Sequence, residues 1–263
     1  MKMRIILLLL AGLTYLLVLG PIIIVLITAF SASEFFAFPP KGFSLRWFVT
    51  FFSTESMRGA FLRSIQIAVV SATAATILGT MAALFIARRK GLTATLLQAL
   101  FLAPLIFPAI VLGISLLLFY KLIGGMPDFL GLAIAHTILG MPFVIRSVSA
   151  SLLSVDPVLE EASQSLRAGP WRTFTLILMP LIWPGILSGC MFAFIVSFGE
   201  LNTALFLTGP GVTTLPIEIF SYLQFQGGQL VIAAASAVQV GMIVLIVVLV
   251  ERMVGLGRVI RSR

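Results

Sequence analysis

Six apolar runs, at 5–30, 65–87, 96–120, 130–148, 181–206 and 230–250, are each close to or beyond the length needed to cross a bilayer. That spacing restricts the fold more than any other feature of the chain. About 20 apolar residues span the hydrocarbon as a helix, and within it every backbone polar group must find its partner inside the structure. Charged residues are 10% of the sequence, against roughly a quarter in soluble domains. The expectation is an all-α membrane protein of about six transmembrane helices, with both termini on one side. The first run follows Lys2 and Arg4 and exceeds the ~7–15 apolar residues of a cleaved leader. It reads as an uncleaved span, although Ser31-Ala32-Ser33 would also suit a cleavage site.

The basic residues orient the chain. Of 17 lysines and arginines, 12 share the side of the termini, among them Lys2, Arg4, Arg88, Arg89, Lys90, Arg146, Arg167 and Arg172, and 5 (Lys41, Arg46, Arg58, Arg63, Lys121) lie opposite. Cytoplasmic loops carry the excess, which makes the N- and C-termini and the 151–180 loop cytoplasmic, and the 35–63 and 208–229 loops external. The net charge of +8 is then topological. It suits a lipid bilayer with anionic headgroups and gives no argument for nucleic acid. The expected organisation is a first transmembrane helix at 1–30, an external loop at 31–63, a five-helix core at 64–252 and a basic cytoplasmic tail at 253–263.

Close packing is written into two of the runs. Ser71, Ala75, Gly79 and Ala83 repeat every four residues in the second, and Ala233, Ala237 and Gly241 in the sixth. Ridges of small residues let helix backbones approach when lipid removes the hydrophobic incentive to associate, so both helices are expected to be interior or interfacial. Pro104, Pro108 and Pro142 interrupt the third and fourth runs and can bend a helix, with or without a moving role. Cys190 is the single cysteine; it reads as a small packing residue in the fifth span.

The 151–180 loop is more than a turn. Asp156 can cap a helix with Pro157 in its first position, and Glu160 and Glu161 sit at the positive end of the dipole. Leu159, Ala162 and Leu166 then share one face. A second short helix starting at Pro170 would align Trp171, Phe174 and Leu178 until Pro180 ends it. On the residues alone, this hairpin either rests on lipid headgroups or docks a soluble partner.

The stretch Glu160, Glu161, Ala162, Ser163, followed by Ile177 and Pro180, resembles the cytoplasmic EAA loop of the permease subunits of ATP-driven (ABC) importers. That pattern is Glu-Ala-Ala, a Gly six after the Glu, then Ile-x-Leu-Pro. Here Ser163 replaces the second Ala, Arg167 stands at the Gly position, Met179 replaces the Leu, and Gly169 is available two residues on as the permissive turn residue. The segments Phe43-Ser44-Leu45-Arg46-Trp47-Phe48 and 208–219 are similar to external segments of the spermidine/putrescine-type branch. The resemblance implies the type I ABC importer permease fold, working by alternating access with a second permease subunit, similar or identical, and an external solute-binding protein. It further implies ABC ATPase subunits that receive the loop and bind the ATP. The chain itself would be a non-catalytic subunit without a cofactor. The implied solute is a polyamine-like cation, with phosphonate, iron(III), sulfate or opine as alternatives shared by related permeases.

The remaining polar residues fit that picture. No Gly-x-x-x-x-Gly-Lys-[Ser/Thr] phosphate loop occurs in the chain. His136, the single histidine, reads as a packed, hydrogen-bonded residue, with ligand or proton relay as the alternative. Glu200 sits in the fifth apolar run, where a carboxylate facing lipid would cost several kcal/mol. With Asn202 it either lines the translocation path or is held by an interhelical hydrogen bond or an arginine. Glu218 reads as a solvated external loop charge, with anchoring of a short helix over the outer mouth or contact with a solute receptor as alternatives, and Glu251 and Arg252 as anchors at the inner boundary. The rival class is a stand-alone ion- or proton-coupled carrier, which usually shows several midplane charges and inverted repeats.

Overall fold

The computed structural model describes residues 2–126, 128–209, 211–225 and 230–261. Pro210 and 226–229 of the expected second external loop, and the last two residues of the basic tail, lie outside them. The described residues form helices without a β-strand: α1 (Lys2–Ala29), α2 (Arg46–Ser53), α3 (Glu55–Ala87), α4 (Leu92–Leu102), α5 (Ala109–Leu122), α6 (Asp128–Leu153), α7 (Val158–Ser165), α8 (Pro170–Thr173), α9 (Met179–Phe198), α10 (Ala204–Leu207), α11 (Leu215–Phe225) and α12 (Val231–Arg261). Five helical stretches are long and apolar enough to span a membrane, and the bent pair 92–105 and 109–122 supplies a sixth span.

Chain contacts divide the molecule into two compact units, Met1–Phe61 with Leu215–Met242 and Leu62–Thr214 with Ile243–Arg263. In the first, α1 is apolar on every side and almost uncovered by the chain along its length, as suits a helix surrounded by lipid. It closes on Thr28 and Ala29, both fully buried. Phe51 of α2, Met57 at the start of α3, Leu215 of α11, and Val231 and Ala235 of α12 form this unit's core, with Trp47, Phe61 and Ile219 packed against it.

The second unit is built on α3, α6 and α9. Ala72, Ala75, Ala82, Ala83 and Ile86 of α3 meet Val144, Ile145 and Val148 of α6 and Ile182, Ile186 and Ala193 of α9. The small-residue ridge of the second run is buried as expected: Ser71, Ala75, Gly79 and Ala83 all face inward. A Cβ on Gly79 would meet Val144 Cβ at 2.8 Å, one on Gly140 would meet Ala193 Cβ at 3.0 Å, and one on Gly189 would meet Val144 Cα at 2.9 Å. Glycine is required at these three crossings because the helices touch through their backbones. The ridge of the sixth run behaves differently. Ala237 is buried, but Gly241 is exposed, and the inward face of α12 is carried by Val231, Ala234 and Ala235. Four-residue spacing marks a smooth stripe without saying whether the same chain covers it.

Several boundaries depart from the apolar runs. The third run is two helices bent by 96°, because Pro104 lies in a 3-10 turn at Ala103–Leu105 and Pro108 (φ −57°, ψ 130°) starts α5 anew. A proline removes a donor and disfavours helical backbone before it, and two of them four residues apart break the span. Pro142, in contrast, lies within an uninterrupted α6. Helix α3 begins at Glu55, ten residues before the second run, and at 1.5 Å per residue its 33 residues reach about 50 Å, beyond the ~30 Å hydrocarbon. The fifth helix stops at Phe198, short of residue 206. Helix α12 runs past Glu251 and Arg252 to Arg261, so most of the basic tail is helical.

Gly79→Val should cost roughly 1–3 kcal/mol through overpacking against Val144, read as a lower melting temperature of the purified chain in detergent. Gly59→Ala, whose added carbon meets nothing within 4 Å, should not lower it. Equal melting of the two variants would contradict the backbone contact between α3 and α6.

Candidate functional site

The hairpin between α6 and α9 is constructed largely as its sequence suggests. Asp156 Oδ1 accepts the Val158 N–H at 3.0 Å, capping α7 with Pro157 in the first turn, and Glu160 and Glu161 follow at the positive end of the helix dipole. At the other end of α7 the Arg167 N–H donates to Gln164 O at 2.9 Å and the Ala168 N–H to Ser163 O at 3.0 Å. This pair of bonds is the Schellman motif, which needs its first residue beyond the cap in the left-handed region. Arg167 fills that position with φ of 57°. Gly169, expected to supply the permissive backbone, is extended instead (φ −68°, ψ 161°). The glycine position of the EAA pattern is therefore a conformational requirement, met here by an arginine at a cost of about 1–2 kcal/mol.

Ser163 accounts for the second departure from the pattern. Its side chain is buried, donates to Glu160 O at 2.9 Å and lies 2.8 Å from Thr173 Oγ1, so a hydroxyl pair joins α7 to α8. Beside it, Arg88 at the end of α3 faces Glu160 at 4.0 Å, and Arg88, Glu160, Gln164, Ala168, Pro170 and Thr173 line a cavity of about 360 Å³. Neither pairing is visible in the sequence: Ser163 and Thr173 are ten residues apart and Arg88 belongs to another loop, so no periodic signal joins them.

The outer surface of the hairpin is left uncovered. Glu161, Leu159, Ala162 and Leu166 are exposed, the last at 84%, as is Trp171 at 74%. The apolar stripe expected over 159–166 thus exists but faces away from the chain. On the α8 side, Trp171 contacts Phe174 with ring centroids 5.9 Å apart, Ile177 is half-buried and Leu178 is buried. Pro180 does not end the second helix. Residues Phe174–Leu178 form a π-helical turn that leads straight into α9, so α8, this turn and α9 make one continuous stretch over Pro170–Phe198. A wide turn keeps the proline ring clear of the preceding carbonyls that an α-helical path would drive into it.

Glu200 and Asn202 lie outside any helix, in the break between α9 and α10 that Gly199 opens. Glu200 is half-buried and its Oε1 accepts the Thr203 N–H at 2.9 Å; Thr203 Oγ1 in turn donates to Ala109 O at 3.1 Å, which ties the break to the start of α5. Asn202 is exposed. The carboxylate thus holds a backbone donor of its own loop.

His136 belongs to a chain of hydrogen bonds across three helices. Ser71 donates to Ile67 O, its Oγ lies 3.1 Å from Ser197 Oγ, and Ser197 Oγ lies 2.8 Å from His136 Nδ1. The packed, hydrogen-bonded reading of His136 describes what the structure contains.

Residues 75–256 match the family described as binding-protein-dependent transport system inner membrane component, and the chain belongs to it: an inner-membrane permease subunit of the ABC importers, multi-pass and of type I fold. The putrescine transport system permease protein PotI of Escherichia coli (strain K12) is 35% identical over 82% of this chain and 78% of its own. The spermidine/putrescine transport system permease protein PotC of the same organism is 29% identical over 78% and 77%. The molybdenum transport system permease protein ModB of Mycobacterium bovis is 31% identical over 74% and 81%. Among solved structures, a chain of a bacterial alginate ABC transporter in complex with an alginate pentasaccharide-bound periplasmic protein superposes with a TM-score of 0.73 at 18% identity, covering 96% of this chain and 93% of that one. A chain of the MetNI methionine ABC transporter gives 0.64 at 20% identity, with 78% and 99% covered. These two show the shared fold. The stand-alone carrier is set aside by the family membership.

Arg167→Gly should relieve the left-handed strain and slow amide hydrogen exchange across 158–173 by roughly five- to thirtyfold, the equivalent of 1–2 kcal/mol. Arg167→Ala, which keeps the strain, should leave the exchange unchanged. Equal effects of the two would show that the guanidinium and not the backbone sets the turn.

Proposed function

We propose that this permease forms half of the translocation pathway for a polyamine-like cation and is driven by separate ABC ATPase subunits that dock on the 151–180 hairpin. The observation that carries the docking is the uncovered surface of Leu159, Glu161, Ala162, Leu166 and Trp171 on a hairpin whose ends and interior are fully tied. An acidic residue among apolar ones on a rigid element suits a partner groove, and ATP is bound and hydrolysed on that partner. The basic-residue split supports a cytoplasmic position for the hairpin and both termini. A second permease subunit completes the pathway, and an external solute-binding protein delivers the solute.

Movement of the hairpin reaches the membrane by two routes, the continuous helix into α9 and the Arg88–Glu160 contact onto α3. The nucleotide cycle can bias the spans only through contacts that differ between the two states, and an exposed, preformed surface allows such a difference at little ordering cost. Glu161→Lys should abolish co-purification of the ATPase subunits and ATP-dependent uptake while the chain still inserts in the membrane. An assembled, transporting complex would remove the docking role.

The polyamine assignment is supported by the putrescine and spermidine/putrescine relatives and by the half-buried Glu200 at the helix break. Similarity to a molybdenum permease keeps an oxyanion as the second reading, which a carboxylate in the path opposes. Glu200→Gln retains the oxygen that accepts from Thr203 and removes only the charge. Uptake of putrescine into proteoliposomes should fall by about tenfold or more, as expected where a charged hydrogen bond of ~1.5–3 kcal/mol is lost. Unchanged uptake and solute preference would take Glu200 out of the path.

A further inference from the structure

We propose that α2 and the aromatic segment before it form a lipid-docking surface, seated in the headgroup–acyl boundary at the end of α1. Helix α2 carries two apolar faces. Trp47 and Phe51 pack into the core of their unit, whereas Leu45, Val49 and Phe52, spaced four and three residues apart on the opposite side, are exposed. Arg46, Thr50 and Ser53 form a polar edge between the two faces. The exposed stripe is enlarged by Phe35, Phe36, Phe38 and Phe43, of which Phe35 is 81% and Phe43 74% exposed. So many uncovered aromatic residues in one short segment call for an apolar or amphipathic neighbour.

Continuity with α1 identifies that neighbour as lipid. The Ala32 N–H donates to Gly42 O at 2.9 Å and the Ser44 N–H to Phe30 O at 2.7 Å, and Phe30 meets Phe48 with ring centroids 4.9 Å apart. The segment is thereby held against the last turn of a lipid-facing span. Ile23, Leu26, Ile27, Phe30 and Phe43 line one apolar groove of about 400 Å³ that joins the side of α1 to the aromatic patch without a polar residue between them. An amphipathic helix lying where a span leaves the hydrocarbon buries its apolar face by several ångströms into the boundary, where aromatic side chains are favoured. The surface would fix the height of α1 and of the unit's core relative to the bilayer. The inference rests on α1 crossing the membrane and not on ATPase docking, so the two can fail separately.

The test uses the full chain with Cys190→Ala and a single nitroxide at Val49→Cys, Phe52→Cys or Ser53→Cys. Each is assembled with its partner subunits in vesicles of phosphatidylethanolamine and phosphatidylglycerol. Collision rates with oxygen and with a water-soluble nickel chelate are then compared. At Val49 and Phe52 oxygen should dominate, with an oxygen-to-chelate ratio several-fold above that at Ser53, both with and without the external solute-binding protein. Chelate-dominated collisions at both stripe positions would overturn the proposal. Shielding of those positions that appears only when the solute-binding protein is added would overturn it as well, assigning the face to that protein.

Discussion

Everything else in the permease core depends on backbone contact between α3, α6 and α9. Lipid tails are as apolar as leucine, so burying side chains drives little association, and dispersion between closely approaching surfaces must do it. Gly79, Gly140 and Gly189 lie where any side chain would collide with the neighbouring helix, and Ala75, Ala83 and Ala193 extend the contact. A polar link within this packing, Ser71–Ser197–His136, crosses the same three helices. Because α9 is the continuation of α8, the hairpin inherits its position from this contact.

The hairpin is stiff for a different reason. It has almost no apolar interior; its order comes from satisfied backbone groups at the Asp156 cap and the Arg167 turn and from the Ser163–Thr173 hydroxyl pair. The apolar side chains that would normally form a core, Leu159, Leu166 and Trp171 among them, are exposed. A surface prepared in this way loses little conformational entropy on association, as the docking proposed for the hairpin requires.

Where residue type alone sets the geometry, the sequence was readable. Six runs of apolar residues announced the spans, Asp156-Pro157 announced the start of α7, and the ridge from Ser71 to Ala83 announced a buried face. Where geometry depends on what another segment offers, it was not. The spacing of Ala233, Ala237 and Gly241 resembles that ridge, yet of the three only Ala237 is buried and Gly241 is exposed. Glu200 looked embedded in a span because Leu201 and Ala204–Leu207 extend the apolar run beyond it, while Gly199 ends the helix just before it. Arg167 in a left-handed turn goes against residue preference and is legible only through the EAA pattern, and the bond between Ser163 and Thr173 has no signature at all. The two prolines of the third run marked a bend, but its 96° magnitude came from their combination with the 3-10 turn.

The π-helical turn at Phe174–Leu178 has a consequence for how hairpin and span are oriented. A π turn accommodates one residue more than an α-helical turn, and each residue of an α-helix advances the azimuth by about 100°. The direction in which Glu161 projects, measured around the axis of α9, is thus set by the number of residues in this turn and hardly at all by their chemistry. Loss or gain of one residue there would rotate the exposed face of the hairpin by more than a quarter of a circle while leaving every side chain of the hairpin intact.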